Sequence, residues 1–177
     1  ARIVADGRDQ DASMYPDKSS PTVAIHSLLT VLAMYAGKTG YKMGKVDVKG
    51  AFIQTPMVGE PVYMRINKKV AKYAIQLYPE LVAFLQRDGS LITKLLKAMY
   101  GCVQASRLWF NLLTKVLRSR GYTASETDPC VMRRVVDDLI FVVLIYVDDL
   151  LIFATDEEME GLRALLIAEF KTITMQV

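Results

Sequence analysis

The chain has 177 residues, 52% of them hydrophobic, which is enough to fill the core of one domain or of part of a larger one. Its longest apolar run, 139–147, is far shorter than the roughly 20 residues of a membrane-spanning helix, and no signal peptide is visible. The two cysteines and one histidine have no metal-ligand spacing, which argues against zinc sites, disulfide frameworks and histidine-dependent catalysis.

The net charge of +3 is unevenly distributed. Residues 65–120 carry 11 Lys and Arg against 2 Asp and Glu, whereas residues 121–177 carry 4 against 11. A basic middle beside an acidic end is typical of a polyanion-binding surface next to a metal-binding carboxylate cluster. Ordinary solvated helix faces are the alternative. Because the chain begins at Ala1 without a methionine, we expect it to be a piece of a longer polypeptide.

Hydrophobic periodicity and turn signals predict helices and strands throughout the first hundred residues. They are a helix that ends at Gly37, strands at 41–48 and 62–66, helices at 67–77 and 79–86, and a short strand at 90–96. We expect Ser20 to cap the first helix, with Pro21 in its first turn.

The second half predicts a helix, a strand meander and a final helix. The elements are a helix at 106–120 capped by Ser106, strands at 130–136, 139–146 and 150–154, and a last helix that opens at the capping box 155–158. Strands with short connections, and helices between runs of strands, favour an α+β fold with an antiparallel sheet packed against helices.

Two adjacent carboxylates, Asp148 and Asp149, lie between apolar runs. A poorly solvated carboxylate is costly unless it is paired or bound to a cation, and Mg²⁺ prefers oxygen ligands. A nearly identical pair, Asp137 and Asp138, follows two arginines and looks like a surface turn. On pattern alone, either pair fits a hairpin turn, because aspartate is a common turn residue.

A third carboxylate, Asp47, lies between two valines on the predicted strand 41–48. On its own it is equally consistent with an ordinary aspartate at the end of a strand. Three such carboxylates can bridge two metal ions roughly 3.5–4 Å apart, which is the chemistry of nucleotidyl transfer. The combination therefore predicts a site for two Mg²⁺ ions, with Mn²⁺ as a substitute.

These residues resemble the reverse transcriptase of copia-type retrotransposons. The likeness is carried by Tyr146-Val147-Asp148-Asp149 and by the segment from Asp47 to Phe52. Further matching elements occur in the family order: Ser20-Pro21, Val62-Tyr63-Met64, Lys97 to Gly101, Gln104-Ala105 and Asp128-Pro129. The family usually has proline where this chain has Ser106.

The resemblance implies an α+β right-hand polymerase in which residues 1–40 and 60–100 have fingers character, and residues 41–59 and 101–177 form the palm. The thumb, ribonuclease H and integrase portions would be absent. Asp47 and Asp148 would be the main ligands of both metal ions, with Asp149 assisting.

The resemblance also implies roles around the nucleotide and the primer. Phe52 would be a steric gate that excludes a 2′-hydroxyl, although a core aromatic is the alternative. The other nucleotide-site residues would be Val48, Gly50, Ala51, Tyr100, Gly101 and Arg2. Residues near the primer or template would be Tyr146, Val147, Gln104 and Arg107.

We therefore expect an RNA-directed DNA polymerase fragment that works with a primed RNA or DNA template, deoxynucleoside triphosphates and the remaining Pol domains. The resemblance implies an intracellular, cytoplasmic location in a virus-like particle, with no membrane partner. The alternative is a catalytically silent remnant that binds nucleic acid. A third interpretation is a different two-metal phosphotransfer enzyme, such as a nuclease. It is weaker because it does not account for the position of Phe52.

Overall fold

The computed structural model describes residues 4–15 and 18–177. Its centre is an antiparallel sheet of six strands in the order β4-β5-β6-β7-β1-β8. These strands are β1 (Lys42–Val48), β4 (Thr123–Ala124), β5 (Val131–Val136), β6 (Leu139–Tyr146), β7 (Asp149–Ala154) and β8 (Ile173–Gln176). A separate two-stranded sheet pairs β2 (Tyr63–Ile66) with β3 (Leu91–Lys94).

Within the described residues, five α-helices accompany the sheets. They are α1 (Ile25–Tyr35), α2 (Ala51–Gln54), α3 (Lys68–Leu77), α4 (Ala105–Ser119) and α5 (Asp156–Phe170). Short 3-10 helices cover Gly7–Asp9, Ala12–Met14 and Pro79–Phe84. The structure thus confirms a mixed α/β fold with an antiparallel sheet packed against helices.

The six-stranded sheet has two unequal faces. One face packs against α4 and α5 in a large core that includes Val46, Val48, Leu113 and Leu162. The opposite face is covered over β6 and β7 by α1, through a smaller cluster that includes Val31 and Tyr35. Because β6 is covered on both faces, its residues 141–145 are all buried, which explains its unbroken apolar run.

The cover by α1 does not extend across β1. Its alternate residues Lys45 and Asp47 lie on the face opposite to the buried Val46 and Val48, and they remain wholly or partly exposed. This uncovered part of the sheet is where the predicted carboxylates lie.

Two predicted helix starts are wrong. The first helix begins at Ile25, so Ser20 and Pro21 precede it. At its N-terminal end the Asp128 carboxylate accepts a hydrogen bond of 3.0 Å from the Ala24 amide. The fourth helix begins at Ala105, so Ser106 lies in its first turn and does not cap it. The cap at Thr155 is confirmed, since its side chain accepts a hydrogen bond from the Glu158 amide.

The structure adds short elements that the sequence pattern did not indicate, namely α2, β4, β8 and the 3-10 helices Gly7–Asp9 and Ala12–Met14. It also shows that the predicted helix at 79–86 is a 3-10 helix, Pro79–Phe84. Within the described part of the chain, no helix has both the length and the apolar character to cross a membrane.

Candidate functional site

The hairpin between β6 and β7 has a two-residue turn made of Val147 and Asp148, closed by the pairing of Tyr146 with Asp149. Val147 has a φ of +55°, whereas Asp148 is not among the residues with positive φ. This sign pattern is that of a type II′ turn, in which the first position normally holds glycine. A β-branched residue there is strained, so the turn must be held by its surroundings.

The second Val-Asp-Asp sequence forms a turn of another kind. Asp137 and Asp138 have φ values of +47° and +65°, and both are exposed between β5 and β6. Two positive φ values define a type I′ turn, which aspartate tolerates. The expectation of a surface turn at this pair is confirmed.

Asp47 and Asp149 lie opposite each other in the antiparallel pairing of β1 with β7. The Lys45 ammonium lies 3.1 Å from an Asp149 carboxylate oxygen, and the Asp149 side chain is 43% exposed. Asp148 points elsewhere, because its carboxylate accepts a hydrogen bond of 3.4 Å from the Tyr100 hydroxyl. All three aspartates are partly exposed, so water reaches each carboxylate in part.

The three carboxylates fit a hard divalent ion in the chemistry of their oxygen donors. Their side chains are not gathered, however, and among the residues that the structure describes no group of three acidic, histidine or cysteine side chains could hold a metal ion. To converge, Asp148 would have to turn from Tyr100, and Asp149 would have to leave Lys45. The structure thus supplies suitable donors without a closed metal site.

Some of the residues predicted around the nucleotide have buried side chains, and others lie in turns of the backbone. The side chains of Val48 and Ala51 lie in the core and can offer a ligand only their backbone. Gly50, which directly precedes α2, has a φ of +67°, a conformation that suits glycine. Phe52 is 7% exposed, and its ring centroid lies 4.4 Å from that of Tyr100. Tyr100 therefore lies between Phe52 and the Asp148 carboxylate.

The loop that carries Tyr100 and Gly101 is held by the N-terminal segment. The Ala5 amide donates a hydrogen bond to the Tyr100 carbonyl at 2.7 Å. Gly101 has a φ of +93°, and a Cβ there would lie 1.9 Å from the Ala5 carbonyl oxygen, so only glycine fits. The Gln10 side chain adds a bond from the Val103 amide at 2.8 Å. Sequence reasoning did not identify Ala5 or Gln10, since nothing local marks them.

The residues predicted near the primer or template differ in exposure. Tyr146 is 58% exposed, whereas Gln104 is 5% exposed and bonded to Gln10 at 3.1 Å, so a strand could reach Gln104 only after that contact opens. Arg107 is half-buried, with its guanidinium carbon 5.8 Å from the Phe110 ring centroid. Arg2 lies outside the described residues.

Strand β8 contributes Thr174 and Gln176, which line a small cavity with Lys45 and Asp47. These two polar residues were not identified from the sequence. Their only signal is the alternation of partly buried Ile173 and Met175 with exposed Thr174 and Gln176 over four residues. The uncovered face beside Asp47 is thus wider than β1 alone.

Comparison with known proteins identifies the family. The family model described as reverse transcriptase (RNA-dependent DNA polymerase) matches residues 1–177. The chain is 29% identical over 159 residues to the retrovirus-related Pol polyprotein from transposon TNT 1-94 of Nicotiana tabacum, a match that covers 89% of the chain and 11% of that protein. It is also 29% identical over 158 residues to the Pol polyproteins from transposons RE1 and RE2 of Arabidopsis thaliana, covering 88% of the chain and 10% of each relative.

The chain spans about a tenth of the length of these curated relatives. No solved structure matches it. Because the family model matches the whole chain, and the relatives are Pol polyproteins of plant transposons, the resemblance to copia-type enzymes is confirmed. The chain belongs to the reverse transcriptase (RNA-dependent DNA polymerase) family.

Proposed function

We propose that this chain is the fingers and palm portion of an RNA-directed DNA polymerase from a retrotransposon Pol polyprotein. Asp47 and Asp148, assisted by Asp149, bind two Mg²⁺ ions, or Mn²⁺ in their place, and the chain adds deoxynucleotides to a primer 3′ end. Its partners are a primed RNA or DNA template, deoxynucleoside triphosphates and the remaining Pol domains, in a cytoplasmic virus-like particle.

The observation that carries this proposal is the pairing of Asp47 with Asp149 across β1 and β7, with Asp148 in the adjoining turn. Like charges directly opposite each other destabilise a sheet, so such a pair calls for a cation. Lys45 neutralises one carboxylate, which leaves excess negative charge at the turn. In a member of this family, that excess supports a divalent-metal site.

The contacts of Tyr100 support a nucleotide site beside the carboxylates. The Tyr100 ring packs on Phe52, while its hydroxyl reaches Asp148, so one side chain joins the proposed steric gate to a proposed metal ligand. In our proposal an incoming deoxynucleotide displaces Tyr100 and stacks its sugar on Phe52. Because Phe52 has no hydroxyl, it excludes a 2′-hydroxyl by bulk alone.

The charge distribution supports binding of a nucleic acid backbone. The face of β1 and β8 beside Asp47 is uncovered, and three exposed lysines, Lys68, Lys69 and Lys72, begin α3. Contacts from lysine to phosphate give affinity without sequence preference and make binding depend strongly on salt. A polymerase that must copy any template is suited to such contacts.

The division between fingers and palm also belongs to the proposal. We assign 41–59 and 101–177 to the palm, and 1–40 and 60–100 to the fingers. The pairing pattern supports this division, since the six-stranded sheet is built from β1 and from strands after residue 120, whereas β2 and β3 form a separate sheet. Against it stand α1, which packs on the six-stranded sheet, and Ala98, which lies in the large core of that sheet.

The proposal is tested by primer extension on an RNA template with deoxynucleotides and Mg²⁺, in the full-length protein that contains this chain. Asp47→Asn should abolish extension. Asp156→Asn is the matched control, because Asp156 is an exposed carboxylate paired with a β1 lysine, Lys42, at 2.7 Å and lies at the far end of the β1–β7 pairing. Equal extension by the two variants would refute the assignment of Asp47.

The second candidate is a silent remnant that binds nucleic acid without catalysis. Two observations favour it: the described carboxylates are not gathered around a metal position, and Lys45 already pairs with Asp149. A folded wild-type protein that binds primed template in a salt-sensitive way, yet extends no primer with Mg²⁺ or Mn²⁺, would establish this candidate and reject the polymerase.

A further inference from the structure

We propose that Trp109 is the positioning residue of the catalytic hairpin: its indole N–H holds the Val147 carbonyl and keeps the strained turn in the form that directs Asp148. The consequence for activity rests on the proposed polymerase function. The hydrogen bond from Trp109 Nε1 to the Val147 carbonyl oxygen is 2.7 Å long.

Trp109 is built as a rigid anchor. It lies in α4, is 1% exposed, and its ring centroid is 5.0 Å from that of Phe170 in α5. An indole N–H is a donor only and requires a partner when buried, and the Val147 carbonyl supplies it. The bond therefore ties the hairpin tip to the helical layer beneath the sheet.

The turn needs such an anchor because of its residue type. Val147 has a φ of +55°, which a β-branched side chain resists, and strained residues persist only where surrounding contacts over-determine them. A second bond, from the Val48 amide to the Asp148 carbonyl, is longer at 3.4 Å. By contrast, Asp137 and Asp138 form a turn whose residue types tolerate positive φ.

The anchor acts on catalysis through the residue that follows. Asp148 is next to Val147, so relaxation of the Val147 backbone moves the Asp148 carboxylate relative to Asp47. Displacement of a reacting group by about 1 Å can cost about a hundredfold in rate. Trp109 touches no reacting atom in this scheme, so its loss should lower kcat and leave the KM for the nucleotide nearly unchanged.

The test is single-nucleotide incorporation on a primed RNA template by the full-length protein and its W109F variant, which keeps an aromatic ring and removes the N–H donor. We expect kcat to fall about tenfold or more, with KM for the nucleotide within roughly twofold of wild type. A second variant carries 3-benzothienylalanine at position 109, which retains the bicyclic shape without the N–H and should show the same loss.

Rescue separates positioning from packing. V147G removes the strain at the turn, since glycine adopts positive φ freely, so W109F should lower kcat far less when it is added to V147G than when it is added to the wild-type chain. Phe170→Leu is the matched control, because it disturbs the packing of Trp109 and leaves its donor in place. It should lower stability and leave kcat per folded molecule close to wild type.

Hydrogen–deuterium exchange supplies a readout that does not need activity. In W109F the segment 144–150 should exchange faster while the rest of the sheet keeps wild-type protection. The proposal would be overturned by an unchanged kcat in W109F, or by equal exchange of the segment 144–150 in W109F and wild type. It would also be overturned if W109F lowered kcat as much in the V147G background as in the wild-type chain. If folded wild-type protein extends no primer, the polymerase function fails, and the exchange at 144–150 still decides whether Trp109 holds the hairpin.

Discussion

Replacement of Glu158 by glutamine should destabilise the protein strongly. Glu158 is 4% exposed, and it accepts two hydrogen bonds from Arg120, at 2.9 and 2.8 Å, and one from the Tyr122 hydroxyl at 3.0 Å. Arg134 also donates to the same carboxylate. This network joins α5 to α4 and β5, so its loss affects the contact between the helical layer and the sheet.

The magnitude follows from the burial of the partners. Breaking a buried ion pair typically costs about 3–5 kcal/mol. The side chains of Arg120 and Arg134 are 27% and 25% exposed, so water would partly solvate them after the change, which favours the lower end. We expect about 3 kcal/mol for E158Q, or a fall in Tm of about 6–12 °C for a chain of this length.

The effect should depend on pH with a defined sign. Burial alone would raise the pKa of the Glu158 carboxyl, but the hydrogen bonds from Arg120, Arg134 and Tyr122 outweigh it and hold that pKa below its ordinary value of 4.5. A lowered pKa contributes stability above pH 4.5 that is lost as the pH falls through the folded-state value. The stability difference between wild type and E158Q should therefore be full at pH 7 and shrink below pH 4.5.

Urea denaturation at several pH values measures this difference. E160Q is the matched control on the same helix, because the exposed Glu160 carboxylate lies 3.5 Å from the guanidinium of Arg163, which is exposed as well. That control should change the free energy of unfolding by less than about 0.5 kcal/mol. Equal free energies for E158Q and E160Q at pH 7, or a difference that grows as the pH falls, would refute the reasoning.

Three further predictions concern the fold and the nucleotide site. Asp128→Ala should cost about 2 kcal/mol in denaturation experiments, because the Asp128 carboxylate accepts bonds from the Ala24 amide at 3.0 Å and the Cys130 amide at 2.9 Å; a cost below about 0.5 kcal/mol would contradict this. Phe52→Val should raise incorporation of ribonucleotides relative to deoxynucleotides by at least about tenfold in primer extension, and an unchanged ratio would remove Phe52 as the gate. Burial raises the pKa of the Cys130 thiol to about 12 and also raises that of Cys102, so a thiol reagent at pH 8 should label neither until urea unfolds the chain, and rapid labelling of the native protein would contradict their burial.

Local sequence patterns predicted the elements that carry the carboxylates. The apolar runs on either side of Tyr146 to Asp149 defined β6 and β7, and the valines around Asp47 defined β1. These patterns worked because the period of the side chains reports directly on which face of a strand is buried. The charged flank of Asp137 and Asp138 likewise indicated a surface turn.

The remaining features depend on contacts between distant residues. The start of α1 is set by Asp128, which is 104 positions from Ala24, and this partner overrides the local cap signal of Ser20. Strand β8 is four residues long and forms because β1 offers it an edge. The directions of the Asp148 and Asp149 side chains depend on Tyr100 and Lys45, so no local pattern could predict them.

The most direct measurement compares two substitutions that are alike in chemistry and differ in place. Single-turnover nucleotide incorporation on a primed RNA template with Mg²⁺ would be measured for Asp148→Asn and Asp138→Asn in the full-length protein. If the β6–β7 turn is the catalytic one, Asp148→Asn abolishes incorporation and weakens Mg²⁺ binding, while Asp138→Asn retains both near wild-type values. Equal effects of the two substitutions would contradict the assignment of the catalytic site.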